Sequence, residues 1–215
     1  MSTRAKILLG LVGAMVLPAA VLADPVVAPR GQDYASPQMR TFGPAQPPYG
    51  FVSFCERMPR ECAQGPQEEQ RFSATPERLA QLDLVNRSIN HEIEPITDSD
   101  HYGLADYWTI PTVKGDCEDY VLLKRKRLMA LGWPASSLLI TVVRDERGDG
   151  HAVLTVRTMQ GDFILDNKTD EIKVWHRAHY DYIMRQSYLN PRIWLSLDPR
   201  ETGPGVPLAA VRGGH

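Results

Sequence analysis

The spacing of apolar residues changes after Pro134 from a helical period to a period of two, and this change constrains the fold more than any other feature. The runs that follow are rich in β-branched residues: LLITVVR (138–144), HAVLTVR (151–157), DFILD (162–166) and IKVW (172–175). The connections DERGDG and TMQGD, which contain Gly and Asp, separate the first three runs. The pattern predicts an antiparallel meander, and the mixed pattern of 180–189 leaves a further strand open.

Two helices are predicted before these strands. Residues 75–93 begin with a threonine N-cap and a proline, and their apolar side chains recur at helical spacing. A second helix begins around Cys117 and runs to Leu131, where Gly132 ends it. We expect residues 94–116 to form a loop between the helices. Helices packed against an antiparallel sheet make the predicted fold class α+β.

A basic run, KRKR (124–127), interrupts the apolar pattern of the second helix. A helix that buries Val121 and Leu128 must bring the start of this run close to the core. The stems of Lys124 and Arg125 can lie along apolar side chains while their charges point outward. We interpret the run as a solvated face, with docking to an acidic partner as the alternative.

The first 23 residues have the features of an export signal. Arg4 and Lys6 supply a positive start, and residues 7–23 form an apolar run that ends in a small residue before Asp24. A retained membrane anchor is the alternative, because 17 residues is near the lower limit for a span. A proline and an alanine-rich end favour cleavage, so we predict a signal peptide at 1–23 and a protein located in the periplasm or secreted. Membrane contact is expected only through an uncleaved signal.

The rest of the chain divides into one domain and two irregular flanks. Residues 24–50 contain six prolines and no periodic apolar pattern, which predicts a Pro-rich N-terminal segment. Residues 199–215 are rich in Gly and Pro, which predicts a flexible C-terminal tail. Residues 51–198 are long enough for a single domain with a proper core. The net charge of −2, or −4 without the signal, gives no basic excess and so no indication of a nucleic-acid partner.

The three cysteines differ in context. Cys55 and Cys62 lie close together in FCERMPREC, and an oxidising compartment favours a local disulfide between them. A metal-binding pair is the alternative, although no histidine or second cysteine pair lies near in sequence. Cys117 is then left over, and a leftover cysteine in an exported protein is either buried or reactive.

Cys117 lies between acidic residues in GDCEDY (115–120), at the predicted start of the second helix. Backbone N–H groups are unpaired in the first turn of a helix, and their positive potential lowers a thiol pKa and stabilises an oxyanion. Gly115 allows the tight turn into such a helix. These features favour a nucleophile, although acidic neighbours oppose a thiolate and a buried cysteine is commonly a small apolar residue.

A nucleophilic thiol requires an imidazole, and His151 is the best placed of the six histidines. It stands first in a strongly β-forming run, directly after a GDG turn. If 151–157 and 162–166 form a hairpin, the start of one strand faces the end of the other, and Asp166 becomes a cross-strand neighbour of His151. A carboxylate there would hold the imidazole in one tautomer and stabilise its protonated form.

The segment DYWTIPTVKGDCEDYVLLKRKRLMALGWP, followed by HAVLTVR and FILDN, resembles the bacterial transglutaminase-like cysteine peptidases. The resemblance extends over about residues 51–195. It implies a papain-like α+β core in which the helix bearing the nucleophile packs on an antiparallel sheet. It also implies a catalytic triad of Cys117, His151 and Asp166. The pair of Cys55 and Cys62 is likewise similar to one found in small exported members.

The resemblance further implies a substrate class and a cofactor. The best understood members are periplasmic proteases that clip large surface adhesins and release cells from biofilms. They use calcium bound by acidic residues beside the nucleophile, and the matching positions are Asp116 and Glu118, with Asp119 a weaker match. A hard divalent ion there would reduce repulsion of a thiolate and stiffen the loop. In the alternative interpretation, Asp116 caps the helix while the other two carboxylates favour its positive first turn.

Two further residues lie in the matching segments, and each has two interpretations. Trp108 either walls the groove beside Cys117 or packs in the core. Asn167 either supports the loop that carries Asp166 or serves as an ordinary turn residue.

The sequence therefore predicts an exported cysteine peptidase that acts on a protein substrate, with a cell-surface adhesin as the class implied. Cys117 would attack a peptide carbonyl, His151 would serve as base and then acid, and Asp166 would orient the imidazole. The Cys117 N–H would contribute to the oxyanion hole. Two alternatives remain open: transglutaminase-type acyl transfer to an amine, and a catalytically silent, calcium-dependent binding module.

Overall fold

A computed structural model of the protein describes residues 32, 34–65 and 71–200. The predicted signal and nearly all of the predicted C-terminal tail lie outside these residues. The helices of the described part are α1 (Tyr49–Arg57), α2 (Pro76–Glu92), α3 (Asp98–Tyr102) and α4 (Cys117–Ala130). The strands are β1 (Gly43–Ala45), β2 (Glu94–Pro95), β3 (Lys114–Gly115), β4 (Leu138–Arg144), β5 (Gly150–Thr158), β6 (Gly161–Leu165), β7 (Lys173–Val174), β8 (Asp181–Gln186) and β9 (Trp194–Ser196).

A large antiparallel sheet forms the centre of the molecule. Its strand order is β1-β9-β8-β4-β5-β6-β7, and each neighbouring pair is antiparallel. The successive strands β4 to β7 are the predicted meander, which is confirmed. The open segment 180–189 supplies β8, which pairs with the far edge of β4. The short strands β2 and β3 pair in parallel outside this sheet.

The central strands are buried on both faces because they separate two apolar cores. Side chains alternate across a strand, so sequence neighbours enter different cores. Leu154 belongs to the larger core, where α1, α2 and α4 pack on the sheet. Val153 and Ile164 belong to the smaller core on the opposite face, which is built around Trp175. This two-sided burial explains why β5 is buried continuously from His151 to Thr158, polar side chains included.

The basic run on α4 differs from the prediction. Lys124 has no exposed surface and Arg125 is only 5% exposed, so the predicted solvated face is wrong for these two residues. The physical reason is that α4 packs between α2 and the sheet. The Arg125 guanidinium group is satisfied by the Leu138 carbonyl at 3.1 Å and the Glu61 carbonyl at 3.4 Å. Burial lowers the pKa of Arg125 to about 10.

Other elements agree with or extend the sequence prediction. The α2 helix is confirmed, and its N-cap Thr75 accepts a hydrogen bond from the Arg78 N–H. The segment 94–116, predicted to be a loop, also contains α3 and two short strands. Part of the Pro-rich segment 24–50 belongs to the fold, because β1 pairs with β9. No helix of the described ranges is both long enough and apolar enough to span a membrane.

A disulfide joins Cys55 in α1 to Cys62, and the Cα atoms of the two residues are 5.5 Å apart. Both cysteines are buried in the larger core. The bond closes the turn that follows α1. The predicted pairing is therefore present, and Cys117 is the free cysteine of the described part.

Candidate active site

Cys117 is the first residue of α4, as the sequence predicted. The chain enters the helix through Gly115, where an added Cβ would lie 2.6 Å from Asp119 Oδ2. This glycine is therefore required by the close approach of Asp119 rather than by an unusual backbone angle. Asp116 occupies the N-cap position, but its side chain makes no capping hydrogen bond. The purely structural interpretation of Asp116 as a helix cap is thus not supported.

His151, at the start of β5, and Asp166, directly after β6, form a buried pair. The His151 Nε2–H donates to Asp166 Oδ1 at 2.8 Å, and the two residues are 1% and 3% exposed. The pairing of β5 with β6 sets Leu154 opposite Leu165, so Asp166 lies across from Val153. His151 and Asp166 are therefore diagonal neighbours two residues apart, rather than directly opposite each other.

The Asp166 carboxylate is held from several sides. Oδ1 also accepts from the Lys168 N–H at 3.0 Å, while Oδ2 accepts from the Tyr180 hydroxyl group. The Asn90 side chain donates to the Asp166 backbone carbonyl at 3.0 Å and so fixes the loop. Burial acts to raise the pKa of Asp166, but the donors outweigh it and lower the pKa to about 2. The carboxylate is thus ionised at neutral pH.

The Cys117 thiol lies beside the start of β5 but is not bonded to the imidazole. Its Sγ donates to Glu118 Oε2 at 3.1 Å, and no hydrogen bond between Cys117 and His151 is present in the described ranges. The backbone of Ala152, the residue after His151, acts to lower the thiol pKa. Burial and the charges of Glu118 and Asp116 outweigh this effect and raise the pKa well above its ordinary value.

Three carboxylates cluster beside the thiol. Ligand oxygens of Asp98, Asp116 and Glu118 all lie within 4.8 Å of one another. Glu118 is fully buried, its Oε1 has no hydrogen-bond partner in the described part, and burial together with the charge of Asp116 raises its pKa well above the ordinary range. Buried carboxylates this close together require protons or a cation between them. Hard oxygen donors of this kind suit Ca²⁺ or Mg²⁺.

Asp119 lies outside this cluster, which agrees with its weaker match in sequence. Its Oδ1 accepts from the Thr109 N–H at 2.8 Å, and this bond ties the segment before α4 to the first turn of the helix. Burial raises the pKa of Asp119 to about 8.

The structure describes both of the residues that had two interpretations from sequence, Trp108 and Asn167. Trp108 is fully buried and lies edge-on to Phe51, with ring centroids 5.5 Å apart, so it is a packing residue. Its indole N–H donates to Asp106. Asn167 follows Asp166 in the loop, and its Oδ1 is buried without a hydrogen-bond partner in the described part.

Sequence reasoning missed Asp98, Asn90 and Tyr180. Asp98 lies in the segment predicted to be a loop and comes to Glu118 through α3. Tyr180 lies just before β8, whose pairing with β4 brings it to the loop after β6. A threonine N-cap followed by acidic residues in the first turn was a signal for α3, but nothing local indicates either long-range contact.

The profile of the bacterial transglutaminase-like cysteine proteinase (BTLCP) family matches residues 41–202, three quarters of the chain. The chain belongs to this family. The protein is therefore a cysteine peptidase, and its mixed α and β architecture with a large antiparallel sheet is the predicted transglutaminase-like fold.

Solved structures of LapG from Legionella pneumophila are similar to this chain. The calcium-bound form is 26% identical to this chain and has a TM-score of 0.48; the match covers 63% of this chain and 75% of the LapG chain. The EGTA-treated form is 26% identical, covers 57% and 69%, and has a TM-score of 0.47. A further LapG structure is 25% identical, covers 60% and 75%, and has a TM-score of 0.48. No curated protein matches the chain.

Proposed function

We propose that this peptidase is exported and cleaves a protein substrate through Cys117, His151 and Asp166. The observation that carries the proposal is the buried hydrogen bond between His151 Nε2 and Asp166 Oδ1 at the start of β5, next to the residue whose backbone acts on the Cys117 thiol. Because Nε2 is held by the carboxylate, Nδ1 is the nitrogen left to exchange a proton with the thiol.

The chemistry follows from these positions. His151 removes the Cys117 proton, and the thiolate attacks the carbonyl carbon of the substrate peptide bond. The oxyanion accepts a hydrogen bond from the Cys117 N–H at the N-terminus of α4. The imidazolium ion then protonates the leaving amine, and a thioester remains on Cys117. His151 removes a proton from water, which hydrolyses the thioester and restores the thiol.

Asp98, Asp116 and Glu118 are the residues that would hold calcium. They fit the ion because the three carboxylates converge within 4.8 Å and a buried Glu118 oxygen has no hydrogen-bond partner among the described residues. Calcium bound there would supply positive charge that offsets the carboxylates of Glu118 and Asp116, whose charges oppose a Cys117 thiolate. The prediction from sequence named Asp116 and Glu118, and α3 adds Asp98.

The compartment is proposed to be the periplasm or the exterior. The export signal predicted at 1–23 lies outside the described residues, but the Cys55–Cys62 disulfide is independent support, because such bonds persist in oxidising compartments. A protein substrate follows from the family. The more specific class, a cell-surface adhesin, rests on the sequence resemblance and on an exported location.

The calcium site is tested by thermal unfolding with and without EGTA. At a free calcium concentration about 100 times the Kd, binding should stabilise the wild type by about 2.7 kcal/mol. Glu118→Gln should abolish this shift. Glu94→Gln, which changes an exposed glutamate paired with Lys114, should keep it. The calcium proposal fails if the wild type shows the same unfolding temperature in calcium and in EGTA.

The peptidase proposal is tested on surface proteins extracted from the producing cells. These are incubated with the mature protein in calcium, and new N-termini are labelled and identified. Wild type should create termini that Cys117→Ser does not. Cross-linked products instead of new termini would favour transglutaminase chemistry. The absence of both cross-links and new termini would favour a silent binding module. Either result would contradict the proposal.

A further inference from the structure

Tyr180 contacts both residues of the proposed His–Asp pair. Its hydroxyl group donates a hydrogen bond to Asp166 Oδ2. Its ring centroid lies 5.7 Å from that of His151, at an interplanar angle of 54°. A residue 14 positions after Asp166 in sequence thus touches the carboxylate and the imidazole at once.

The contact is specific to the carboxylate oxygen that His151 does not use. Oδ1 of Asp166 accepts from His151 Nε2 and from the Lys168 N–H. Oδ2 accepts from Tyr180, and no other hydrogen bond to Oδ2 is present in the described ranges. Asp166 is only 3% exposed, so water cannot readily replace this donor. The hydroxyl group therefore fixes the rotation of the carboxylate and keeps Oδ1 directed at His151.

Tyr180 is itself held in place by an aromatic row on the smaller core. Its ring packs edge-on against Tyr182, with centroids 6.5 Å apart. The buried Tyr182 hydroxyl group donates to the Trp175 carbonyl at 2.7 Å, and the Tyr182 ring packs edge-on against the Trp175 ring. The packing of the rings, which does not depend on the Tyr182 hydroxyl group, thus sets the position of the Tyr180 hydroxyl group.

Tyr180 also remains a hydrogen-bond donor at every pH at which a peptidase of this kind works. Burial, followed by the hydrogen bond to Asp166 and its charge, raises the pKa of Tyr180 far above its ordinary value. The phenol therefore stays protonated while Asp166 is ionised.

We propose that Tyr180 is a positioning residue of the active site: it fixes the Asp166 carboxylate so that His151 presents Nδ1 to the Cys117 thiol. This inference rests on the proposed function, because it assumes that His151 and Asp166 serve Cys117. A packing role alone would need the ring but not the hydroxyl group, and this difference can be measured.

The test uses Tyr180→Phe, with Tyr182→Phe as the matched control. Each variant loses one hydroxyl group from the same aromatic row, but only the first loses a bond to Asp166. The first readout is the rate at which iodoacetamide alkylates Cys117 between pH 4 and 9 in calcium. The second is the downfield proton NMR signal of the His151 Nε2–H, measured in a Cys117→Ser background and assigned by its loss in His151→Ala.

Tyr180→Phe should slow alkylation below pH 7 about tenfold, the factor expected for loss of one hydrogen bond to a charged group, and should shift the His151 signal. Tyr182→Phe should leave both readouts as in wild type. Wild-type readouts in Tyr180→Phe would overturn the proposal, as would equal losses in both variants. His151→Ala separates the two hypotheses: if it does not slow alkylation, the proposed function itself fails.

Discussion

At the scale of single residues, the balance between burial and hydrogen bonding decides whether the Asp166 carboxyl group is ionised. A carboxylate with 3% exposure would ordinarily become protonated, because burial disfavours its charge. Donors from His151, Tyr180 and the Lys168 N–H reverse this effect and lower the pKa to about 2. At the start of α4, Glu118 accepts a hydrogen bond from the Cys117 thiol at 3.1 Å, but burial and the charge of Asp116 outweigh it and raise the pKa of Glu118.

The lowered pKa of Asp166 predicts a loss of stability in acid. The unfolded carboxyl group has an ordinary pKa near 3.8, so it binds a proton before the folded one does as pH falls. The stabilisation is fully present above about pH 5 and is lost as pH falls through the folded value of about 2. Two pKa units correspond to about 2–3 kcal/mol.

Urea unfolding of wild type and Asp166→Asn measures this contribution. The variant cannot titrate at this position, so the difference in unfolding free energy should be largest at pH 7 and should shrink towards pH 2. A difference that does not change with pH would contradict the assigned pKa.

Sequence patterns predicted the residues whose roles follow from local order. His151 follows a turn and begins a strand, and Asp166 follows the next strand, so a hairpin alone brings them together. The diagonal rather than direct pairing could not be predicted, because a register shift of two residues leaves the alternation of side chains unchanged. Tyr180 was missed because its contact with Asp166 depends on β8 pairing back to β4.

The α4 helix combines two roles at the scale of secondary structure. Its first turn carries Cys117 and the acidic residues, and its middle crosses the core with Lys124 and Arg125 buried. Arg125 is bonded to two backbone carbonyls, but the Lys124 amine has no hydrogen-bond partner in the described part. The amine lies 5.8 Å from the centroid of the Tyr120 ring.

Lys124 predicts a second pH effect, in which the lowered pKa destabilises the fold at neutral pH instead of stabilising it. Burial lowers the pKa of Lys124 to about 7, although the charges of Asp166 and Asp170 partly oppose this. Between pH 7 and the ordinary value of 10.5, the unfolded chain binds a proton that the folded chain does not. Stability from this residue therefore rises with pH across that range.

Lys124→Met should be more stable than wild type at pH 7, by about 1–4 kcal/mol, because an apolar side chain of similar length replaces a buried amine. The gain should shrink as pH approaches 10. Unfolding free energies at pH 7, 8.5 and 10 test this. A variant that is less stable than wild type at pH 7 would show that the amine makes a favourable interaction.

Gly115 predicts a steric effect at the start of α4. An added Cβ would lie 2.6 Å from Asp119 Oδ2 and 2.7 Å from its Cβ, so Asp119 and the first turn must shift. Gly115→Ala should cost about 1–3 kcal/mol of unfolding free energy and slow alkylation of Cys117. Gly65→Ala is the control, since nothing lies within 4 Å of the added Cβ. Equal stability of the two variants would contradict this account.

Element positions were predictable where a periodic pattern was long. The α2 and α4 helices and strands β4 to β6 agree with the sequence to within about one residue. The burial of Lys124 was not predictable, because a run of four basic residues is typical of a solvated face. Only the packing of α4 between α2 and the sheet decides otherwise.

Long-range pairing completes the sheet at the scale of the whole molecule. The segment that contains Gly43–Ala45 joins β9, and β9 joins β8, so residues from both ends of the described chain close one edge. The sequence prediction placed 24–50 outside the domain because this segment contains six prolines and no periodic apolar pattern. An edge strand of three residues tolerates Pro44, since its N–H side need not be paired.

The disulfide is expected to contribute to global stability. It closes a loop with a sequence separation of 7, for which chain entropy predicts about 2.5 kcal/mol. The double variant Cys55→Ala, Cys62→Ala should unfold at a lower urea concentration than wild type when both are measured without reductant. The difference in unfolding free energy should equal that estimate. Wild type with dithiothreitol should shift in the same direction. An unchanged midpoint in the double variant would show that core packing alone holds the end of α1.

The central claim is that His151 activates Cys117, and the rate of Cys117 alkylation by iodoacetamide tests it most directly. It should be measured from pH 4 to 9, in calcium and in EGTA, for wild type and His151→Ala. We predict a depressed thiol pKa in calcium that returns to the ordinary range in His151→Ala, and a higher pKa in EGTA. A slow profile with an ordinary or raised pKa, identical in both proteins, would contradict the claim and leave Cys117 as a structural residue.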